Sequence, residues 1–261
     1  MTITNERTYR AADVVAFYTR ASKLQPPEAA ILSRVKSRSL APRMLDLGVG
    51  GGRTTAHFSS IAKSYLGADY SAEMVRACTA RFPHLRFVQA DARAMPEFYD
   101  GSFDFVLFSH NGIDYADEDG RMRALREVRR VLAPGGSFAF STHNLNSCPA
   151  LFFGSPRDGI LTKLFLARWR AKVRAHNATW DELRRRDAAL INDGAFQFRL
   201  TTFYIKPSAQ IAHLVRAGFD RVEVFGLETG AILEQEALGA STDPWLYYFC
   251  EVAARASPRL P

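Results

Sequence analysis

Cysteine is scarce in this 261-residue sequence, and the three present, Cys78, Cys148 and Cys250, stand far apart with no CxxC pair. That spacing argues against a zinc cage or a disulfide framework and fits a reducing compartment. Long apolar runs are also missing. None approaches the ~18 residues that span a bilayer, and residues 1–10 are polar and charged where a signal peptide would be apolar. The expectation is a soluble, cytoplasmic protein without a membrane span. Acidic residues are outnumbered, 27 against 34 lysines and arginines, for a formal charge of +7. Much of the excess falls between Arg168 and Arg186, with Asp181 and Glu182 interspersed. Such a run is either a solvated helical face or a footprint for an anionic partner. It carries no recognisable RNA- or DNA-binding signature, so nucleic acid is the less favoured partner. What is present is a globular composition, 47% hydrophobic and 23% charged, enough for a sizeable core. The length fits one large domain, or a core with an elaborated insertion.

Two helices are predicted first, over 12–22 and 27–36, the second opened by prolines that the first helical turn tolerates. They would form an N-terminal flap. Residues 43–52, RMLDLGVGGG, are a short apolar run ending in a glycine cluster, and residues 53–62 have helical spacing: strand, tight turn, helix. The pattern then repeats. SYLGADYS closes a second strand at Asp69, Ser71 can cap a helix over 72–81, and LRFVQAD (85–91) is a third strand. FDFVLFS (103–109) is a fourth, a helix over 118–132 stops at APGG, and SFAFST (137–142) is a fifth. Strands alternating with helices at this spacing need crossover connections, which implies a doubly wound, mainly parallel α/β sheet covered on both faces. Residues 144–199 break the rhythm and read as an inserted helical cap. The core resumes with a helix over 207–217 and strands at 219–226 and 245–254; with no long helix between them, these form an antiparallel terminal pair at the sheet edge. The expected division is a core of 1–143 and 200–256 around an insert of 144–199.

Asp46, Gly48, Gly50 and Gly52 sit in DLGVGGG at the first crossover, where a glycine turn at a strand's carboxyl end admits a ligand close to the backbone. A GxGxxG fingerprint would need glycine where Arg53 stands, and no GxxxxGK[ST] loop exists, so NAD and ATP lose ground. Asp69 ends the second strand, placed to accept both hydroxyls of a ribose. Asp91 ends the third. As an exposed strand-end carboxylate, Asp69 is expected to contribute little to the core. Any one of these acids could be an ordinary turn or cap residue, yet three of them close strands on one edge of one sheet.

In combination these segments resemble the seven-stranded class I S-adenosylmethionine-dependent methyltransferases. DLGVGGG is similar to that family's DxGxGxG motif, GADYS to its acidic second-strand motif, QADARAMP and FDFVLFSHN to its third- and fourth-strand motifs, and EVRRVLAPGGSFAFST to its helix, turn and fifth strand. AGFDRVEVF and WLYYFCEVA resemble its terminal antiparallel pair. The resemblance covers about four fifths of the chain and leaves out 144–199. It implies a seven-stranded sheet and S-adenosyl-L-methionine as cofactor. Gly48, Gly50 and Gly52 would wrap the methionine moiety with Asp46 facing its ammonium. Asp69 would hold the ribose, Tyr70 pack on the adenine, Asp91 and Ala92 read the adenine edge, and Ser109 line the methionine side. Tyr18 either contacts the cofactor carboxylate or packs. Arg53 either pairs with that carboxylate or lies on the surface.

Methyl transfer needs donor and acceptor held in line with water excluded, and an alcohol acceptor gains from a base that takes its proton. Imidazole suits that task near pH 7. His110 and His143, just past the fourth and fifth strands, are the candidates, each otherwise a pocket-lining or turn residue. Asn111, Asp114, Tyr115 and Asn144 share their loops and could orient an acceptor, and Tyr204 either closes the pocket or belongs to the core. No metal is expected, because the loop acids Asp114, Asp117 and Asp119 are better explained by turn and helix-start chemistry. The leading acceptor is a small polar molecule, a sugar or secondary-metabolite hydroxyl, through a looser resemblance of SHNGIDY and STHNLN to methyltransferases of bacterial glycan and secondary-metabolite pathways. An RNA methyltransferase and a catalytically silent cofactor-binding scaffold are the alternatives. Leu161, Leu164, Phe165, Trp169 and Trp180 either cover the acceptor or pack on the core.

Overall fold

The computed structural model describes residues 5, 7–8, 10–20, 22–38, 41–154 and 159–254. Its strands are β1 Arg43–Leu47, β2 Ser64–Asp69, β3 Arg86–Gln89, β4 Phe103–Phe108, β5 Leu132–Asn144, β6 Ala188–Ile191, β7 Thr202–Ile205, β8 Asp220–Phe225 and β9 Trp245–Glu251. β3, β2, β1, β4 and β5 lie side by side and parallel. β9 runs antiparallel to β5, and β8 antiparallel to β9. The terminal antiparallel pair is therefore present, but β9 lies inside the sheet and only β8 forms its edge. Strand order reverses between β1 and β4, and in open sheets of this kind ligands bind beyond the carboxyl ends at that reversal.

Successive residues alternate across the sheet. Met44, Phe105, Leu107, Ala139 and Phe249 pack on one face with Ile31 and Val35 of α2 (Pro26–Arg38). Leu45, Val106, Phe138 and Tyr248 pack on the other with Leu125 and Val128 of α5 (Glu118–Val131). This is why the central strands read as continuous apolar runs: both faces are dry. Further helices include α1 Ala12–Thr19, α3 Thr55–Ser59, α4 Ala72–Arg81, α5 Glu118–Val131, α6 Cys148–Phe153, α7 Ile160–His176 and α8 Pro207–Arg216. Ser71 caps α4 by accepting from the Met74 amide at 3.4 Å, and Asp117 caps α5 through the Gly120 amide at 2.8 Å.

Two strands were not expected. β5 runs past the end of β4, and there His143 and Asn144 pair in parallel with Tyr204 and Ile205 of β7, which pairs antiparallel with β6. Residues 144–199 are thus not all helical, because β6 belongs to the sheet. Their apolar side chains Leu145, Phe152, Val173, Leu183 and Ile191 cluster with Tyr204. The start of α7 does something else. Leu161, Leu164 and Phe165 are 69–85% exposed, so they neither pack on the core nor cover the cleft.

Candidate functional site

At the reversal between β1 and β4 lies a cleft of about 1090 Å³ including its open mouth, lined by the glycine loop, the ends of β1 to β4 and Tyr18 of α1. Gly48 has φ +58°, and a Cβ there would sit 2.6 Å from the Phe108 ring. At Gly51 a Cβ would sit 2.5 Å from the Tyr18 backbone, so the absence of a side chain is what lets α1 close over the loop. Of the residues singled out for the cofactor, Tyr18, Asp46, Gly48, Gly50, Asp69, Tyr70, Asp91, Ala92 and Ser109 line the cleft. Gly52 does not; it faces Phe82 and Cys78 behind the loop.

The three acids differ. Asp46 is 1% exposed, accepts from Thr54 Oγ1 at 2.8 Å and Tyr65 Oη at 2.7 Å, and burial pushes its carboxyl up to about 6. Asp69 is 6% exposed rather than the exposed carboxylate expected. It accepts from the amides of Gly50 and Ser71, each at 2.9 Å, tying the glycine loop to the end of β2, and burial lifts it to about 6 as well. Asp91 is half-buried. Burial acts to raise it, but the Arg93 guanidinium forked on its oxygens prevails and holds it below the usual carboxylate range.

Arg53 is neither a surface residue nor unengaged. Its guanidinium is forked on Glu28 of α2, which is 0% exposed and also accepts from Ser109 Oγ and from Tyr247 Oη. Burial acts to raise Glu28, and Arg53 overcomes it to hold the carboxyl low. Nothing in the sequence marks Glu28 for this role; it reads as an acid in a first helical turn.

The histidines are not equivalent. His110 lines the cleft with φ +53°; burial and then the Arg53 charge push its imidazole down to about 4, which leaves it neutral. His143 lies beside the cleft rather than in it, with Trp245 between the two rings at centroid distances of 6.3 and 5.9 Å. Its Nδ1 is 2.7 Å from Asp114 Oδ2, and the same oxygen accepts the His143 backbone amide at 2.7 Å. Asp114 is 0% exposed and ion-paired with Arg121, also 0% exposed. The Arg121 guanidinium donates further to Gln210 Oε1 at 2.6 Å and lies 4.6 Å over the Phe203 ring. A carboxylate oxygen bonded to a backbone amide is an acceptor, so in the His143 contact Nδ1 is the donor.

The other residues placed with the acceptor are mostly occupied by the protein itself. Asp114 holds His143 instead of facing the cleft. Asn144 accepts from the Asn146 amide at 3.0 Å and donates to the Ser241 carbonyl at 2.9 Å. Tyr204 is 4% exposed, donates to Asp193 Oδ2 at 3.1 Å and lies 4.7 Å from the His143 ring. Asn111 is buried with Nδ2 3.4 Å from His143 Nε2, and Tyr115 lines the cleft. Among the described residues no cluster of three or more His, Cys, Asp or Glu could hold a metal ion, and no helix is long and apolar enough to cross a membrane.

A doubly wound sheet with a glycine loop and acidic strand ends around a cleft at its reversal defines a nucleoside-binding class of α/β protein. Comparison narrows the class. Residues 44–136 match the family model described as a methyltransferase domain. An uncharacterised methyltransferase of Bacillus subtilis (strain 168) is 28% identical over 154 residues, covering 55% of this chain and 59% of that protein. A demethylmenaquinone methyltransferase of Thermus thermophilus is 39% identical over 100 residues, 36% of this chain and 44% of that one. The chain thus spans about half the length of these curated relatives. The 1,6-didemethyltoxoflavin-N1-methyltransferase of Burkholderia thailandensis, solved with S-adenosylhomocysteine, shares the fold at TM-score 0.59 and 16% identity, over 97% of this chain and 92% of that one. Residues 44–136 thus match a methyltransferase domain, and the fold is one shared with solved S-adenosylmethionine-dependent methyltransferases.

The cleft fits that cofactor. Asp46 and Asp69 sit in a dry site with no cationic side chain bonded to them, which is why both are pushed up to about 6. A ligand bringing an ammonium and hydroxyl donors would relieve both.

Proposed function

We propose that this protein transfers a methyl group from S-adenosylmethionine to an oxygen of a small molecule, with His143 as the base. When bound, the cofactor supplies an electrophilic methyl on a sulfonium. The chain's own residues do the rest. Asp46 and the glycine loop hold the amino-acid end, Asp69 the ribose, and Tyr70, Asp91 and Ala92 the adenine, while α1 shuts water out above Gly51. Arg121 pairs with Asp114, Asp114 orients His143 through Nδ1, and Nε2 takes the acceptor's proton as the new bond forms. His110, neutral and lining the cleft, shapes the site without an orienting carboxylate of its own.

The observation that carries this reading is the 2.7 Å contact of His143 Nδ1 with a fully buried carboxylate. A positioned base is worth ~10²–10⁴ in rate. His143→Gln should therefore lower turnover by about 10² or more and leave the S-adenosylhomocysteine dissociation constant within about twofold. Equal turnover in that variant, read by transfer of labelled methyl to product, removes His143 from the mechanism.

A further inference from the structure

Beside the cofactor cleft the protein lays down a track of rings. Phe196 lies 6.3 Å from Tyr18, Tyr18 6.0 Å from His110, His110 6.3 Å from Trp245, Trp245 5.9 Å from His143, and His143 4.7 Å from Tyr204. Tyr18 and His110 also line the cleft, so the track leads from the cofactor to the base. Six segments distant in sequence, α1, residues 195–198, the loop after β4, the start of β9 and the ends of β5 and β7, converge to build it.

Most of the polar groups nearby are spent, although Asn111 Oδ1 is buried without a partner. Both oxygens of Asp114 are taken by Arg121, Thr142 and His143. Asn144 is taken by backbone and Tyr204 by Asp193. A sugar brings several hydroxyls, and each one removed from water here without a partner costs affinity. A flat ring loses nothing of the kind, because it stacks on ring faces and edges. Acidity points the same way. A phenolic hydroxyl with a pKa of about 10 lies three to four units above an ordinary imidazole, whereas water, at about 15.7, stands in for an aliphatic alcohol and lies some nine units above. The phenol is the proton donor that an imidazole base can serve.

We infer that the methyl acceptor is a planar aromatic or heteroaromatic compound carrying an acidic ring hydroxyl, bound against the track from Phe196 to Trp245 with its hydroxyl at His143 Nε2. This deepens the methyl-transfer reading and rests on it. The hydroxyl oxygen bonds the methyl carbon, the carbon–sulfur bond breaks with its electron pair kept by sulfur, and the hydroxyl proton passes to Nε2.

The test uses the full chain saturated with S-adenosylhomocysteine, titrated by calorimetry with 1-naphthol and, separately, with methyl α-glucoside. Naphthol should bind at least tenfold more tightly than the glucoside. Trp245→Leu and, as a milder change at the other end of the track, Phe196→Ala should each weaken naphthol at least fivefold while S-adenosylhomocysteine affinity moves less than twofold. Equal or tighter glucoside binding overturns the inference, and so does naphthol affinity unchanged in both variants; either result leaves methyl transfer itself standing. Failure of S-adenosylhomocysteine to bind at all overturns the methyl-transfer reading and the inference with it.

Discussion

Two carboxylates and one buried ion pair decide how this site behaves. Asp46 and Asp69 have ordinary values of 3.8 in the unfolded chain and about 6 in the folded, ligand-free protein. Their cost to the fold is absent below pH 3.8 and fully present above about 6, on the order of 3 kcal/mol for each. A cationic ligand reverses that cost only where the acids are ionised. S-adenosylhomocysteine affinity should be flat above pH 7 and weaken by about tenfold or more per pH unit below 6, with a shallower slope in Asp46→Asn; calorimetry across pH 5 to 8 measures it. The Arg121–Asp114 pair is fully buried, and removing one partner strands the other. Asp114→Ala should cost about 3–5 kcal/mol in denaturant melts as well as turnover.

Among elements, those with local signals were legible and those set by remote pairing were not. The helix over 72–81 was readable from its Ser71 cap and emerged with those bounds, since the cap is a contact three residues long. Ser71→Ala should cost about 0.5–2 kcal/mol, read as a lowered denaturant midpoint with an unchanged slope. β6 and β7 had no such signal. Each is four residues long, and β7 is a strand because the overhanging end of β5 offers His143 and Asn144 as partners. Short apolar runs of that length do not distinguish strand from packed coil. β9 was readable as a strand but not as an interior one, because its inner neighbour, β5, lies over a hundred residues away while β8 on its other side is near in sequence.

For the whole molecule, the cleft is where ordered segments meet, so filling it should stabilise all of them together. At a hundredfold excess over its dissociation constant, S-adenosylhomocysteine should contribute about 2.7 kcal/mol and raise the melting temperature by about 5 °C or more. Scanning fluorimetry at two ligand concentrations checks it, and a melting temperature indifferent to the ligand counts against cofactor binding at this cleft. Of the basic run, Arg168, Lys172, Arg174, Arg184, Arg185 and Arg186 are exposed, whereas Arg170 is buried.

The sequence alone determined the parallel α/β rhythm, the glycine turn and the acids that end the first three strands, because each is written in spacings of a few residues and in the dihedral freedom of glycine. Which histidine is held by a buried carboxylate was decided only in three dimensions. Asp114 and His143 are brought together by the ends of two neighbouring strands, and Glu28 and Arg53 by a helix folded back over the sheet. Burial, which raises Asp46 and Asp69 and lowers His110, is a property of what surrounds a residue and not of the residues beside it in the chain.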